Sequence, residues 1–256
     1  MSKLKGLPPV YAMSLIESGV RRKHLWEQFN KYDQYYINIV TSSREEDALA
    51  VIETSWPREM LQPTLLGHLK AIKLWYDSNV SEVALFVEDD ISLDTVQYWN
   101  FTWEEFYNHL PSDWECIQLT WIRFGDREAV FRYGDKLRPR CWNDFSATGY
   151  MIKREYAKKL LDLYYHDGVY YFDVKGADLD IKPEYALWPT TENILFSSIG
   201  AIYSFPLFVE EVDGLASTHQ HNVDSGIDQG YGHREARRIV LNWWKYVGQY
   251  RPIGEI

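Results

Sequence analysis

Residues 83–90 read Val-Ala-Leu-Phe-Val-Glu-Asp-Asp, five apolar side chains running straight into three consecutive carboxylates. A short run rich in β-branched and aromatic residues suits a strand buried on both faces of a parallel sheet. Glu88, Asp89 and Asp90 then sit at the carboxyl end of that strand, where open α/β sheets place their ligands. Adjacent like charges repel, and burial raises the cost. A hard cation relieves both, and carboxylate oxygens suit Mg2+ or Mn2+. The competing account is a solvated strand exit carrying three surface acids.

The flanking sequence supplies the rest of such a sheet. Val10–Leu15 predicts a first strand, and Leu25, Phe29 and Tyr32 recur at helical spacing over residues 20–32. Tyr36–Val40 predicts a second strand, and Ser42-Ser43-Arg-Glu-Glu offers a helix start. A helix over residues 64–76 carries Leu65, Leu69, Ile72 and Trp75 on one face, and the acidic strand follows directly. Strand and helix alternating at this spacing predict a Rossmann-like α/β domain with a mostly parallel sheet flanked by helices. Beyond the acids, Trp103–Leu110 predicts a short helix. Glu115–Trp121 and Asp144–Ile152 predict strands, the latter with Gly149 permitting close backbone approach. Arg154–Tyr165 predicts an amphipathic helix and Ala201–Ser204 a short strand, while the glycine-dotted residues 226–232 suit a mobile lid.

With 256 residues the chain can bury a substantial core. A formal net charge of -10 argues against a nucleic-acid groove, which needs clustered Lys and Arg. The 11 Trp and 19 Tyr suit a sugar or base site, although most such rings fill cores. Cys116 and Cys141 make no disulfide framework and have no metal-ligand spacing, so both are expected as reduced, partly buried thiols. Residues 7–16 are broken by Pro8-Pro9 and lack a cleavage site, and no stretch is apolar enough to span a membrane. The expectation is a reducing, cytoplasmic setting.

Four segments in order carry a resemblance to a known group. They are Val10–Arg22, Gly67-His68-Leu-Lys70-Ala-Ile, Phe86-Val-Glu-Asp-Asp, and Thr148-Gly-Tyr-Met-Ile-Lys-Arg-Glu-Tyr-Ala-Lys-Lys-Leu. Together they resemble the glycosyltransferase family 25-like enzymes and their viral relatives, nucleotide-sugar transferases of the GT-A fold. The resemblance implies one GT-A domain over residues 1–256, with a nucleotide-sugar-binding half over about 1–125 and an acceptor-binding half over about 126–256. It implies a Mn2+ or Mg2+ cofactor, a nucleotide-sugar donor, UDP-linked, and a glycan or lipopolysaccharide-like acceptor.

Carried over residue by residue, the resemblance makes Glu88, Asp89 and Asp90 the equivalent of the Asp-X-Asp motif. Asp90 would ligate the metal directly, with Glu88 or Asp89 at the ribose or in the metal shell. Ser14 and Leu15 would line the base pocket, with Arg21 or Arg22 near the phosphates or base. His68 and Lys70 fall in the helix that precedes the acidic strand and are donor-site candidates. GT-A enzymes often draw a further metal ligand from a late histidine. In Ser217-Thr218-His219-Gln220-His221 the two imidazoles share one face if the segment is extended. His233 lies farther along and is set aside. A catalytic base is sought at Glu192, at a helix start, or at Asp178 or Asp180. Where the family has an Asn-Leu-Asp-type turn after its first strand, this chain has Ser14-Leu15-Ile16-Glu17.

Other chemistries compete. Two-metal phosphoryl transfer or hydrolysis needs more bridging acids than one cluster provides. A glycoside hydrolase works with two carboxylates and no metal. A non-catalytic carbohydrate-binding protein would use the aromatic rings and bind no nucleotide.

Overall fold

The computed structural model of the chain describes residues 2–42, 52–53, 63–122, 137–141, 144–171, 191–196, 199–211 and 229–255. Its first part alternates as the hydrophobic pattern predicts. β1 (Val10–Leu15), α1 (Gly19–Asn30), β2 (Ile37–Ser42) and β3 (Ile52–Glu53) are followed by α2 (Pro63–Ser78) and β4 (Val83–Glu88). Then come β5 (Ile91–Ser92), α3 (Trp103–Asn108), β6 (Cys116–Gln118), β7 (Arg138–Pro139), β8 (Gly149–Lys153) and α4 (Arg154–Tyr164). The remaining elements are β9 (Tyr165–His166), β10 (Val169–Tyr171), α5 (Thr191–Leu195), β11 (Ile202–Ser204), β12 (Val209–Glu210) and α6 (Gln229–Tyr246).

Seven strands form the central sheet in the order β2-β1-β4-β8-β6-β11-β7. β1 runs parallel to β2 and β4, and β6 parallel to β11. β8 is antiparallel to both β4 and β6, so those two share a direction, and β7 is antiparallel at the edge. The sheet is thus mostly parallel, with five strands in one sense, as the α/β reading expects. It takes strands from both halves of the chain. β3, β10 and β9 make a small second sheet, and β5 pairs with β12.

Both faces of the sheet are covered. Along β4, Val83, Leu85 and Val87 enter one core and Ala84 and Phe86 the other. Leu25 and Phe29 of α1, Phe106 of α3, and Val240, Trp243 and Trp244 of α6 pack on the first face. Leu69, Ile72 and Trp75 of α2 and Tyr156 and Leu160 of α4 pack on the second. Each of these side chains contributes about 2 kcal/mol by leaving water. Tyr11, Phe86 and Tyr150 stack across β1, β4 and β8 with centroids 5.7 and 5.4 Å apart. Trp75, Trp99, Trp103, Trp114, Trp121, Trp243 and Trp244 are all buried, so the aromatic richness largely fills cores.

Four expectations need correction. The strand read over residues 144–152 begins only at Gly149, because Asp144 is buried and tied to side chains, and Ser146 adopts a left-handed φ of 89°. The strand read over 115–121 pairs only from Cys116 to Gln118, where the Gln118 amide turns to donate to the carbonyls of Asp144, Phe145 and Ser146. The glycine-dotted stretch was expected as a lid. Residues 229–232 instead open α6, whose apolar face is held down by Ile239, Val240, Trp243 and Trp244, while residues 226–228 lie outside the described chain. Cys116 is buried as expected, but Cys141 is exposed; both are free. Among the described residues no helix is long and apolar enough to cross a membrane.

Candidate functional site

β1 and β4 end side by side, with Met13 opposite Glu88. That register brings Ser14 and Leu15 to the same end of the sheet as the acids. The chain then turns through Asp89 and Asp90 into β5, whose Ile91 and Ser92 pair with Glu210 and Val209 of β12. The Glu211 amide donates to the Asp90 carbonyl at 2.6 Å. The acidic turn is therefore clamped from both sides. β8 completes the frame, with the Glu88 amide donating to the Thr148 carbonyl at 2.9 Å. Gly149 is needed here, since a Cβ would meet Ile91 Cδ1 at 3.1 Å and Thr120 Cγ2 at 3.2 Å.

One arginine answers the two aspartates. Arg21 Nε donates to Asp89 Oδ1 at 2.5 Å and Nη2 pairs with Asp90 Oδ2 at 2.6 Å. Its side chain is only 9 % exposed, and burial alone would disfavour its charge, but the two aspartates hold it protonated. Arg22 does something else. It donates to Ser14 Oγ and to the carbonyls of Leu15 and Ile16, tying α1 to the exit of β1. The resemblance puts these guanidinium groups near phosphates or base; the bonds they make here are to carboxylates, a hydroxyl and carbonyls.

Glu88 faces the opposite side of the cluster. His68 of α2, fully buried, bonds Glu88 Oε1 through Nε2 at 3.0 Å and the Tyr150 hydroxyl through Nδ1 at 3.0 Å. Burial pushes the imidazole down to about 3, so His68 is neutral and cannot serve as a cation to Glu88. Lys70 lies about 200° around the helix from His68 and is half-buried on another face.

The charge in this corner is not balanced. Burial, then Glu210 and Glu192, push the Glu88 carboxyl up to about 8. Burial likewise raises Asp90, with Glu88, Glu210 and Asp89 overriding what Arg21 offsets. Asp90 Oδ1 is buried and has no hydrogen-bond partner. An unpartnered oxygen on a crowded, buried carboxylate is one that a cation could satisfy. Among the described residues no three His, Cys, Asp or Glu side chains converge as a ready-made metal site. The Glu88 and Asp90 side chains are 18 and 20 % exposed, so the corner is reachable.

A second carboxylate centre faces it. Glu210 of β12 accepts from Ser146 Oγ at 2.7 Å, Thr148 Oγ1 at 2.8 Å and His233 Nδ1 at 2.6 Å. Burial opposes ionisation, but these three donors keep the carboxyl below its ordinary value. Ser146 also links Glu192, whose Oε1 accepts from the Ser146 amide at 3.1 Å. Thr120 donates to Ser146 Oγ at 2.8 Å and accepts from the Gly149 amide at 3.1 Å. A serine at φ 89° is strained, and the network around it is what holds it there.

The structure thus brings Ser14, Arg21, His68, Glu88, Asp89, Asp90 and Glu192 into one neighbourhood. Asp178, Asp180, His219 and His221 lie outside the described residues. Sequence reasoning missed Glu210, Ser146, Thr148 and Tyr150, and set His233 aside. One signal was present: Leu207-Phe208-Val209-Glu210 repeats Leu85-Phe86-Val87-Glu88. A second apolar run ending in acids marks a second strand end.

No protein-family model matches the chain, and no curated protein matches its sequence. Among solved structures, a glycosyltransferase involved in the glycosylation of the major capsid of PBCV-1 superposes at a TM-score of 0.41 with 11% identity. It covers 78% of this chain and 82% of its own. A197 from STIV superposes at a TM-score of 0.39 with 11% identity, covering 84% of this chain and 100% of its own.

Proposed function

We propose that the protein is a metal-dependent glycosyltransferase that moves a sugar from a nucleotide-sugar donor, UDP-linked, to a glycan hydroxyl. The observation that carries this reading is the unpartnered Asp90 Oδ1 within an under-neutralised carboxylate cluster at the carboxyl ends of β1 and β4. The four ordered segments that resemble family 25-like enzymes converge on that corner. Open α/β sheets bind ligands at this edge.

The residues fit a hard divalent cation. Asp90 would hold it through Oδ1, with Glu88 beside it and the donor's diphosphate completing its shell; His219 and His221 are further candidates. When bound, the ion supplies Lewis-acid stabilisation of charge on the departing diphosphate. Arg21 bonds Asp89 and Asp90 together and fixes their rotamers. The His68–Tyr150 pair fixes the Glu88 carboxyl, leaving it little freedom to swing away. Ser14, buried at the end of β1, closes the donor side. Glu192, bonded to the Ser146 amide, stands on the acceptor side with the residues of β12.

Thermal unfolding with UDP, GDP and CMP, each with and without Mn2+, tests the reading. A ligand that binds only the folded state stabilises by about 2.7 kcal/mol at a hundredfold excess over Kd, about 5–10 °C for a chain of this size. The UDP shift is expected to require Mn2+ and to vanish in Asp90→Asn. If no nucleotide shifts unfolding under any condition, the proposal fails.

A further inference from the structure

Two arginines are set deep beside the site, and they are compensated differently. Arg21 meets Asp89 and Asp90, which hold it protonated. Arg140, just past β7, pairs with no carboxylate among the described residues. Its side chain makes one hydrogen bond there, from Nη2 to the Asp144 carbonyl at 2.8 Å. The guanidinium lies over the Phe196 ring at 4.8 Å, and Nε is buried without a partner. Burial weakens its hold on its proton, and Asp144 and Glu192 offset only part of that loss. Both acids are engaged elsewhere. Asp144 accepts from Arg138, Trp121 Nε1 and the Cys141 amide, and Glu192 Oε1 accepts from the Ser146 amide. A cation set this deep without an acid is costly, and packing on Phe196 alone does not call for a charge. The residue as a whole stays partly exposed, so a ligand can reach it.

Its place in the fold indicates the ligand. β7 is the edge of the sheet opposite β2, away from the ends of β1 and β4. A file of rings leads back from it: Phe196 meets Tyr150 edge-on at 5.7 Å, and Tyr150 bonds His68 beside Glu88. Arg140 thus stands two ring contacts beyond the acidic corner, on the side of Glu192. Gln118 Oε1 is a second buried atom without a partner, and Gln118 Nε2 shares the Asp144 carbonyl with Arg140. A ligand carrying an anionic oxygen and a neighbouring hydroxyl would satisfy both side chains.

We propose that Arg140 receives the anionic group of an acidic acceptor sugar, a uronic-acid carboxylate or a phosphate substituent, and so selects acidic over neutral glycans. The acceptor role rests on glycosyl transfer being the reaction; the pairing of Arg140 with an oxyanion does not. Guanidinium donors match carboxylate and phosphate oxygens in one plane, and such bonds are stronger than those between neutral groups. Glu192 and Glu88 repel an anion, so the preference depends on Arg140.

The test measures binding of methyl β-glucuronide, glucose 6-phosphate and the neutral methyl β-glucoside by ligand-observed NMR, with Mg2+ and UDP present. The wild type should bind both anions at least about tenfold more tightly than the glucoside. Arg140→Gln should lose that margin while its affinities for the glucoside and for UDP stay within about threefold of wild type. Arg140→Lys keeps the charge without the planar fork and should keep a smaller margin; it carries the comparison if glutamine does not fold. A packing role alone would lower stability and leave the ratio of acidic to neutral affinity unchanged. Failure of the wild type to bind either anion, equal affinity for all three sugars, or an unchanged margin in the variants overturns the proposal. A fall of about tenfold or more in UDP affinity in Arg140→Gln assigns the anion to the donor and overturns the acceptor role. If the wild type shows the margin but binds no nucleotide, glycosyl transfer fails and the oxyanion site at Arg140 stands.

Discussion

Glu88→Gln isolates the cost of the crowded carboxylates. The Glu88 carboxyl rises from 4.5 to about 8 on folding, chiefly through burial and then through Glu210 and Glu192. A raised acid binds its proton more tightly in the folded state, so its contribution is complete below 4.5 and is lost as pH climbs through 8. The slope is about 1.4 kcal/mol per pH unit. His68 has the opposite sign below its unfolded value of 6.5, since the folded imidazole, pushed to about 3, refuses a proton that the unfolded one accepts. The two effects cancel between 4.5 and 6.5 and part company above. From pH 6.5 to 8 the wild type therefore loses about 2 kcal/mol through Glu88, an upper bound because water reaches part of the side chain. Glutamine keeps a donor for His68, as the protonated carboxyl does, and has nothing to ionise. Urea unfolding in metal-free buffer at the two pH values should show the wild type falling about 1–2 kcal/mol further than the variant. Asp90 titrates in both proteins, but without the Glu88 charge it holds its proton less tightly, so the difference reads the two carboxyls together. Parallel losses would show that Glu88 is ionised at little cost, and the account of a cation-seeking cluster would lose its energetic basis.

Two further substitutions probe the scaffold around the site. Asp144 is fully buried and accepts from both Arg138 Nη atoms at 2.8 Å and from Trp121 Nε1 at 2.6 Å. Asp144→Ala should cost about 3–5 kcal/mol in urea unfolding by leaving that guanidinium without its carboxylate, and a loss under 1 kcal/mol would contradict the buried pairing. At Ser146, alanine keeps the strained backbone and loses the bond to Glu210, whereas glycine loses the same bond but relieves the strain. Ser146→Gly should therefore be more stable than Ser146→Ala by about 1 kcal/mol; equal stabilities would mean that the left-handed backbone there carries no cost.

The alternating first half of the fold was readable because its signals are local. Apolar runs of strand length, helical spacing in α1 and α2, and the acids after Val87 all report within a few residues. The direction of β8 was not readable. A central strand buried on both faces shows the same continuous apolar run, Tyr150 to Ile152, whether its neighbours are parallel or antiparallel. α6 was hidden for a different reason. Gly230 and Gly232 are poor helix formers, so its first turn reads as loop, and it forms because Val240, Trp243 and Trp244 bury one face.

The repeated tetrapeptide shows most plainly where local reading stops. Leu85-Phe86-Val87-Glu88 and Leu207-Phe208-Val209-Glu210 are identical, and both end a strand with a carboxylate. Their glutamates nevertheless titrate in opposite directions. Glu88 meets a neutral imidazole and three like charges, so burial wins and its proton is held. Glu210 meets two hydroxyls and a histidine that gains charge beside it, so its proton is shed. Those partners come from Ser146, Thr148 and His233, residues far from either strand in sequence. Opposed carboxylates of this kind show that environment, not residue type, sets the protonation of each group. That asymmetry is tertiary: it arises where the pairing of β5 with β12 sets Glu210 beside the acidic turn.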